Sequence, residues 1–121
     1  RCTFIAGDFF ESVPEGGDAY VLKDIVHDWD DDRASAILHN CRRTMVRTPA
    51  VATKLLVVEK VIPPGNAPFP GKLTDITMLL VTGGRERTAT EYEALLNGAG
   101  FALTRIVTTS SPASVIEAVL V

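Results

Sequence analysis

The stretch LKDIVHDWDDD (residues 22–32) places one histidine, His27, at the end of an apolar run, with Asp28 next to it and three aspartates just beyond. An imidazole titrates near neutrality, at about 6.5 when unperturbed, so it can accept a proton that a hydroxyl must lose. Imidazoles also ligate metals, and Asp28 with Asp30, Asp31 and Asp32 would supply further donors. The bland alternative is a loop histidine. A second acid, Glu59, follows the apolar LLVV in KLLVVEKVI (54–62), where it either meets the histidine or faces solvent beside Lys54 or Lys60. Lys23 interrupts an apolar segment, and a lysine buried there needs a partner.

These side chains require elements to hold them. AYVLKDIV (19–26) is mostly apolar and rich in β-branched residues, which fits a strand buried on both faces of a parallel sheet. His27 then lies just past its C-terminal end, on the edge where open α/β sheets bind ligands. KLLVVEKVI reads as a second buried strand that brings Glu59 towards the same edge. A helix over about 31–47, opened by Asp30 or Asp31, repeats Ala34, Ile37, Leu38, Cys41 and Met45 at helical spacing, and Arg42, Arg43 and Arg47 complement its C-terminal dipole. Capping and the dipole account for the three aspartates without a metal.

TFIAG (3–7) reads as a short strand, and LTDITMLLVT (73–82) as a short helix broken by Gly83 and Gly84. Thr88 with Glu91 forms a capping box, followed by Tyr92, Leu95 and Leu96 on one face and by Gly98 or Gly100 as terminator. ALTRIVTT and SVIEAVLV close the chain as an antiparallel hairpin. The order β-β-α-β-α-α-β-β gives an α/β fold class.

Composition narrows the function. With 121 residues the chain can form one domain with a core, and a net charge of −3 without a basic stripe argues against nucleic acid as a partner. No apolar run reaches the ~20 residues of a membrane span. Cys2 and Cys41 fit no metal or redox spacing and read as reduced thiols of a cytoplasmic protein. A start at Arg1, almost directly in a strand-like run, is expected of a fragment.

Four separated stretches, GDFFESVPEGGDAYVLKDIVHDWDDDRA, LLVVEKVIPPG, LTDITMLLVTGGRERTATEYEALLNGAGF and the terminal hairpin, make the chain resemble the C-terminal part of the S-adenosylmethionine-dependent class I O-methyltransferases that act on plant phenolics and bacterial polyketides. The resemblance implies a partial Rossmann-like methyltransferase sheet with flanking helices, and residues 1–121 as the C-terminal portion of the methyltransferase domain. The family's glycine-rich loop and N-terminal dimerisation domain would lie upstream. It implies S-adenosyl-L-methionine as cofactor, a small-molecule hydroxyl acceptor, a homodimer and no metal.

Residue by residue, the resemblance makes His27 the general base. Glu59 and Glu86 become the acids that flank it, although Glu86 between Arg85 and Arg87 could equally belong to a solvated charge cluster. Asp8 and Phe9 match positions that contact the adenine, the alternatives being an Asx turn and plain core. Lys23 matches a position near the cofactor. Asp28 and Met78 match the acceptor wall, although a methionine on an apolar helix is core by default. The competing reading is an inert fragment, or a binding module of this fold, that self-associates through an uncovered sheet edge.

Overall fold

The computed structural model describes residues 1–47 and 53–121. Strand β1 (Ala19–Lys23) leads through a single 3-10 turn (Val26–Asp28) into helix α1 (Asp31–Arg47). Strand β2 (Lys54–Ile62), helix α2 (Pro70–Val81), a two-residue strand β3 (Arg87–Thr88), helix α3 (Ala89–Gly98) and strands β4 (Phe101–Thr108) and β5 (Ala113–Leu120) complete the chain.

The sheet runs β1-β2-β5-β4, with β3 beside the end of β2. β1 and β2 are parallel, pairing Ala19 with Lys54 through Lys23 with Val58. β5 lies antiparallel between β2 and β4, so the expected hairpin forms and its second strand is the inner one. A register shift between Leu103 and Arg105 interrupts that hairpin.

Strand alternation sets which side chains meet. In β2, Leu55, Val57 and Glu59 share one face and are buried. Leu55 and Val57 join a core with Ala34, Leu38, Cys41 and Met45 of α1, Tyr92 and Leu96 of α3, and Ile116 and Ala118 of β5. The helical stripe expected for α1 is therefore the buried one. Glu59 is an acid placed where the pattern calls for a third core residue.

Three expectations need correction. TFIAG forms no strand, and Phe4 and Ile5 are exposed; no strand among the described residues pairs with it, and an unpaired segment has no ladder to hold it. β1 is buried on one face only, with Tyr20 inside and Val21 mostly exposed, because the helices of the core cover one side of it. Helix α2 begins at Pro70, three residues before the expected start, with proline in its first turn where a missing N–H costs nothing.

Local signals hold elsewhere. Asp30 Oδ1 accepts from the Arg33 backbone N–H at 2.9 Å, at the start of α1. The Thr88–Glu91 capping box forms in both directions, and α3 ends at Gly98, with Gly100 in the left-handed region at φ 81°. Cys41 is buried and Cys2 exposed, both as free thiols. No helix among the described residues is long and apolar enough to cross a membrane.

Candidate active site

The ends of β1 and β2 and the segment from Gly84 to Thr88 converge on the 3-10 turn that carries His27. Glu59 organises the turn from below. Its Oε1 accepts backbone N–H donors of Ile25 at 3.1 Å, Val26 at 2.9 Å and His27 at 3.3 Å. A short turn leaves such amides without internal partners, so one buried carboxylate replaces what a longer helix would have to find elsewhere. The other oxygen, Oε2, lies 3.5 Å from His27 Nδ1. Burial pushes the Glu59 carboxyl above its ordinary range, while the His27 charge and the amide donors pull it back.

Glu86 approaches from the other side, its Oε1 3.0 Å from His27 Nδ1. An ionised carboxylate only accepts, so this contact makes Nδ1 the protonated nitrogen and leaves Nε2 with a lone pair. The Glu86 hydrogen bond holds the His27 pKa above its ordinary value, against burial, with the charges of Glu59, Glu86 and Asp28 acting in the same direction. Asp28 Oδ1 is 3.6 Å from Nε2, and its side chain is partly exposed. His27, Glu59 and Glu86 are all buried. A neutral imidazole with one nitrogen fixed by an acid and a lone pair on the other can remove a proton from a hydroxyl that reaches it.

Other candidates are distributed around this centre. The Asp8–Phe9 segment packs on the turn through its aromatic rings: Phe9 and Phe10 meet Trp29 edge-on at centroid distances of 6.4 and 4.8 Å, with the Arg33 guanidinium 5.0 Å above the Trp29 ring. Asp8 Oδ1 accepts from the Phe10 N–H at 2.8 Å, so the Asx-turn reading is realised, and Asp8 is exposed. An apolar groove of about 350 Å³ runs along Phe9, Val13, Pro14 and Leu22.

Lys23 departs from expectation. It is not buried: its side chain is 66% exposed and pairs with Asp24 next to it in the chain. Alternation explains this, because Lys23 lies on the β1 face that the core helices leave uncovered. Met78 is half-buried on α2 and its carbonyl ends that helix by accepting from Thr82 and Gly83. The residue of α2 that bonds into the site is Asp75, one turn earlier, whose Oδ1 accepts the Glu86 backbone N–H at 2.8 Å.

Ligating atoms of Asp24, His27 and Glu59 fall within 4.8 Å of one another. Their bonding already has an occupation: Asp24 pairs with Lys23, Glu59 takes three amides and His27 Nδ1 faces Glu86. In the aspartate run, Asp30 caps α1 and Asp31 binds Arg87.

Sequence reasoning missed Gly84 and Arg87. A Cβ on Gly84 would stand 2.1 Å from the His27 carbonyl oxygen, so the glycine read as a helix breaker also permits a close backbone approach. Next to it the Arg85 N–H donates to the His27 carbonyl at 2.9 Å. Arg87, taken as a member of a solvated cluster, is fully buried. The available signal was the Gly-Gly pair directly before alternating charges, which fits a backbone clasp as well as a loop.

Comparison with known proteins identifies the family of the chain. Residues 1–102 match the family model described as O-methyltransferase domain. The phenazine O-methyltransferase PhzM of Lysobacter antibioticus is 50% identical over 118 residues, covering 98% of this chain and 33% of that protein. The crystal structure of LaPhzM superposes with a TM-score of 0.94 at 48% identity, over 100% of this chain and 35% of that one. CalO1, a methyltransferase in calicheamicin biosynthesis solved in its SAH-bound form, gives 0.84 at 42% identity, over 97% and 34%. The chain spans about a third of the length of the relatives it matches.

Proposed function

The chain belongs to the O-methyltransferase domain family, and from that membership and the site geometry we propose that its parent protein transfers the methyl group of S-adenosyl-L-methionine to a hydroxyl of a small aromatic or polyketide-type molecule, with His27 as general base. The observation that carries the reading is the buried Glu86–His27 contact at 3.0 Å, which leaves Nε2 as the nitrogen that carries the lone pair. Bound S-adenosyl-L-methionine supplies an electrophilic methyl group on a sulfonium.

The remaining work belongs to the chain. His27 Nε2 takes the hydroxyl proton as the new O–C bond forms and the methyl–sulfur bond breaks. Glu86 stabilises the imidazolium that results, and Glu59 adds negative potential while fixing the turn. A phenol with an ordinary pKa of about 10 is a weak nucleophile near neutrality, and a base whose own pKa is raised is better matched to it. Asp28 beside Nε2 and Met78 on α2 would line the acceptor side. Asp8 and Phe9 would hold the adenine along the apolar groove, and Lys23, exposed at the end of β1, would lie at the cofactor's rim. The compartment is cytoplasmic.

The test is incubation of the intact protein with methyl-labelled S-adenosyl-L-methionine and a panel of phenolic acceptors, followed by mass spectrometry. Label on an acceptor oxygen supports the proposal. A protein that binds the cofactor and leaves every hydroxyl unlabelled counts against it.

β1 is the end strand of the sheet among the described residues, and that edge favours a second reading in which copies of this chain self-associate as a homodimer. Light scattering at micromolar concentration should give the dimer mass; a monomer removes that reading.

A further inference from the structure

We propose that Arg87 is a positioning residue, a buried guanidinium that locks the backbone of the His27 turn and so keeps the imidazole against Glu86. Arg87 is 0% exposed, and it stands out because a fully buried arginine is costly unless all its donors are met. All five N–H groups find acceptors. Nε donates to Asp31 Oδ1 at 3.0 Å and Nη2 to the same oxygen at 2.7 Å. Nη2 also donates to the Trp29 carbonyl at 3.0 Å, and Nη1 to the carbonyls of Val26 and Arg85, each at 3.2 Å.

The acceptors define what the side chain does. Val26 and Trp29 bracket His27, so one rigid fork grips the turn on both sides of the residue. Asp31 ties the fork to the first turn of α1, and the Arg85 carbonyl ties it to the strand segment that carries Glu86. Glu86 holds the His27 ring while its neighbour Arg87 holds the His27 backbone. The two contacts come from consecutive residues, so movement of one displaces the other. A lysine has three donors on a single nitrogen and cannot span these acceptors.

The catalytic part of the inference rests on the reading proposed above, and the test separates the two. In the intact protein, Arg87→Lys and Asp31→Ala are compared with wild type by NMR titration of the His27 imidazole, which needs no turnover, and by steady-state methyl transfer. In Arg87→Lys the His27 midpoint should fall towards about 6.5. Its kcat should drop about tenfold or more, with KM for S-adenosyl-L-methionine held within about twofold, as expected when orientation is lost but binding is kept. Asp31→Ala, which removes an acceptor at the partly exposed end of the fork, should shift both in the same direction by less. A folded Arg87→Lys with unchanged titration and kcat overturns the proposal. Should that variant fail to fold, an unchanged His27 midpoint in folded Asp31→Ala overturns it instead. Absence of methyl transfer in the wild type would refute the enzyme reading, and the His27 midpoints would still decide whether Arg87 positions the ring.

Discussion

The His27 turn and helix α2 are built in opposite ways. Around the turn, three amides meet Glu59, an imidazole meets Glu86 and two carbonyls meet Arg87, and the side chains of His27, Glu59, Glu86 and Arg87 are all buried. Helix α2 leaves Leu73, Ile76, Leu79, Leu80 and Val81 exposed and anchors to the turn region through Asp75. Polar groups that cannot reach water must be paired, whereas apolar groups in water incur only a diffuse cost. The difference teaches that the His27 turn is held by partners within this chain, while the apolar face of α2 is left uncovered among the described residues.

The contrast can be broken most severely at Glu59. Glu59→Ala strands three backbone donors inside the fold, and at about 1–3 kcal/mol for each unmet buried group the loss should exceed about 3 kcal/mol, read by urea unfolding. A loss below about 1 kcal/mol would mean that the turn tolerates disorder as well as α2 does. Glu86→Gln keeps the shape and weakens the hold on Nδ1. It should lower kcat by roughly tenfold to a hundredfold and bring the His27 midpoint down, with little change in melting temperature.

Changing pH sharpens the comparison without mutation. His27 has its folded-state pKa raised, so its protonation contributes stability that is fully present below the unfolded value of about 6.5 and lost as pH rises through the folded value. Glu59, also raised, contributes with the same sign from about 4.3 upward. On the proposed mechanism turnover requires unprotonated Nε2, so it should climb over the His27 window. Melting temperature should therefore fall while initial rate rises, and rates and melting points that rise together would contradict the assignment. Thr88→Ala removes the α3 cap beside the site and should cost about 1 kcal/mol in thermal unfolding. Leu80→Ser, on the bare face of α2, should alter stability by less than about 0.5 kcal/mol; a larger loss would show that this face is covered in solution.

Periodicity and local capping made much of this frame legible. Helix α1 with its buried stripe, the capping box at Thr88 and the terminal hairpin all follow from patterns of a few residues. Glu59 was legible as a break in an apolar alternation, and His27 as a residue just past a strand end. TFIAG and the two-sided burial of β1 were misread because a strand's surroundings depend on neighbours that its own residues do not encode. Arg87 and Gly84 were missed for a related reason. A charge between charges looks solvated until the chain fold brings Val26, Trp29 and Asp31 around it, and a glycine that permits close approach looks like one that ends a helix.

The most direct measurement is single-turnover methyl transfer by His27→Gln in the intact protein, alongside its melting curve. Glutamine keeps polarity and approximate size but cannot take up the proton. Transfer should fall by about a hundredfold or more while the cooperative melt and cofactor binding are retained. Transfer at the wild-type rate in a folded, cofactor-binding variant would contradict the central claim.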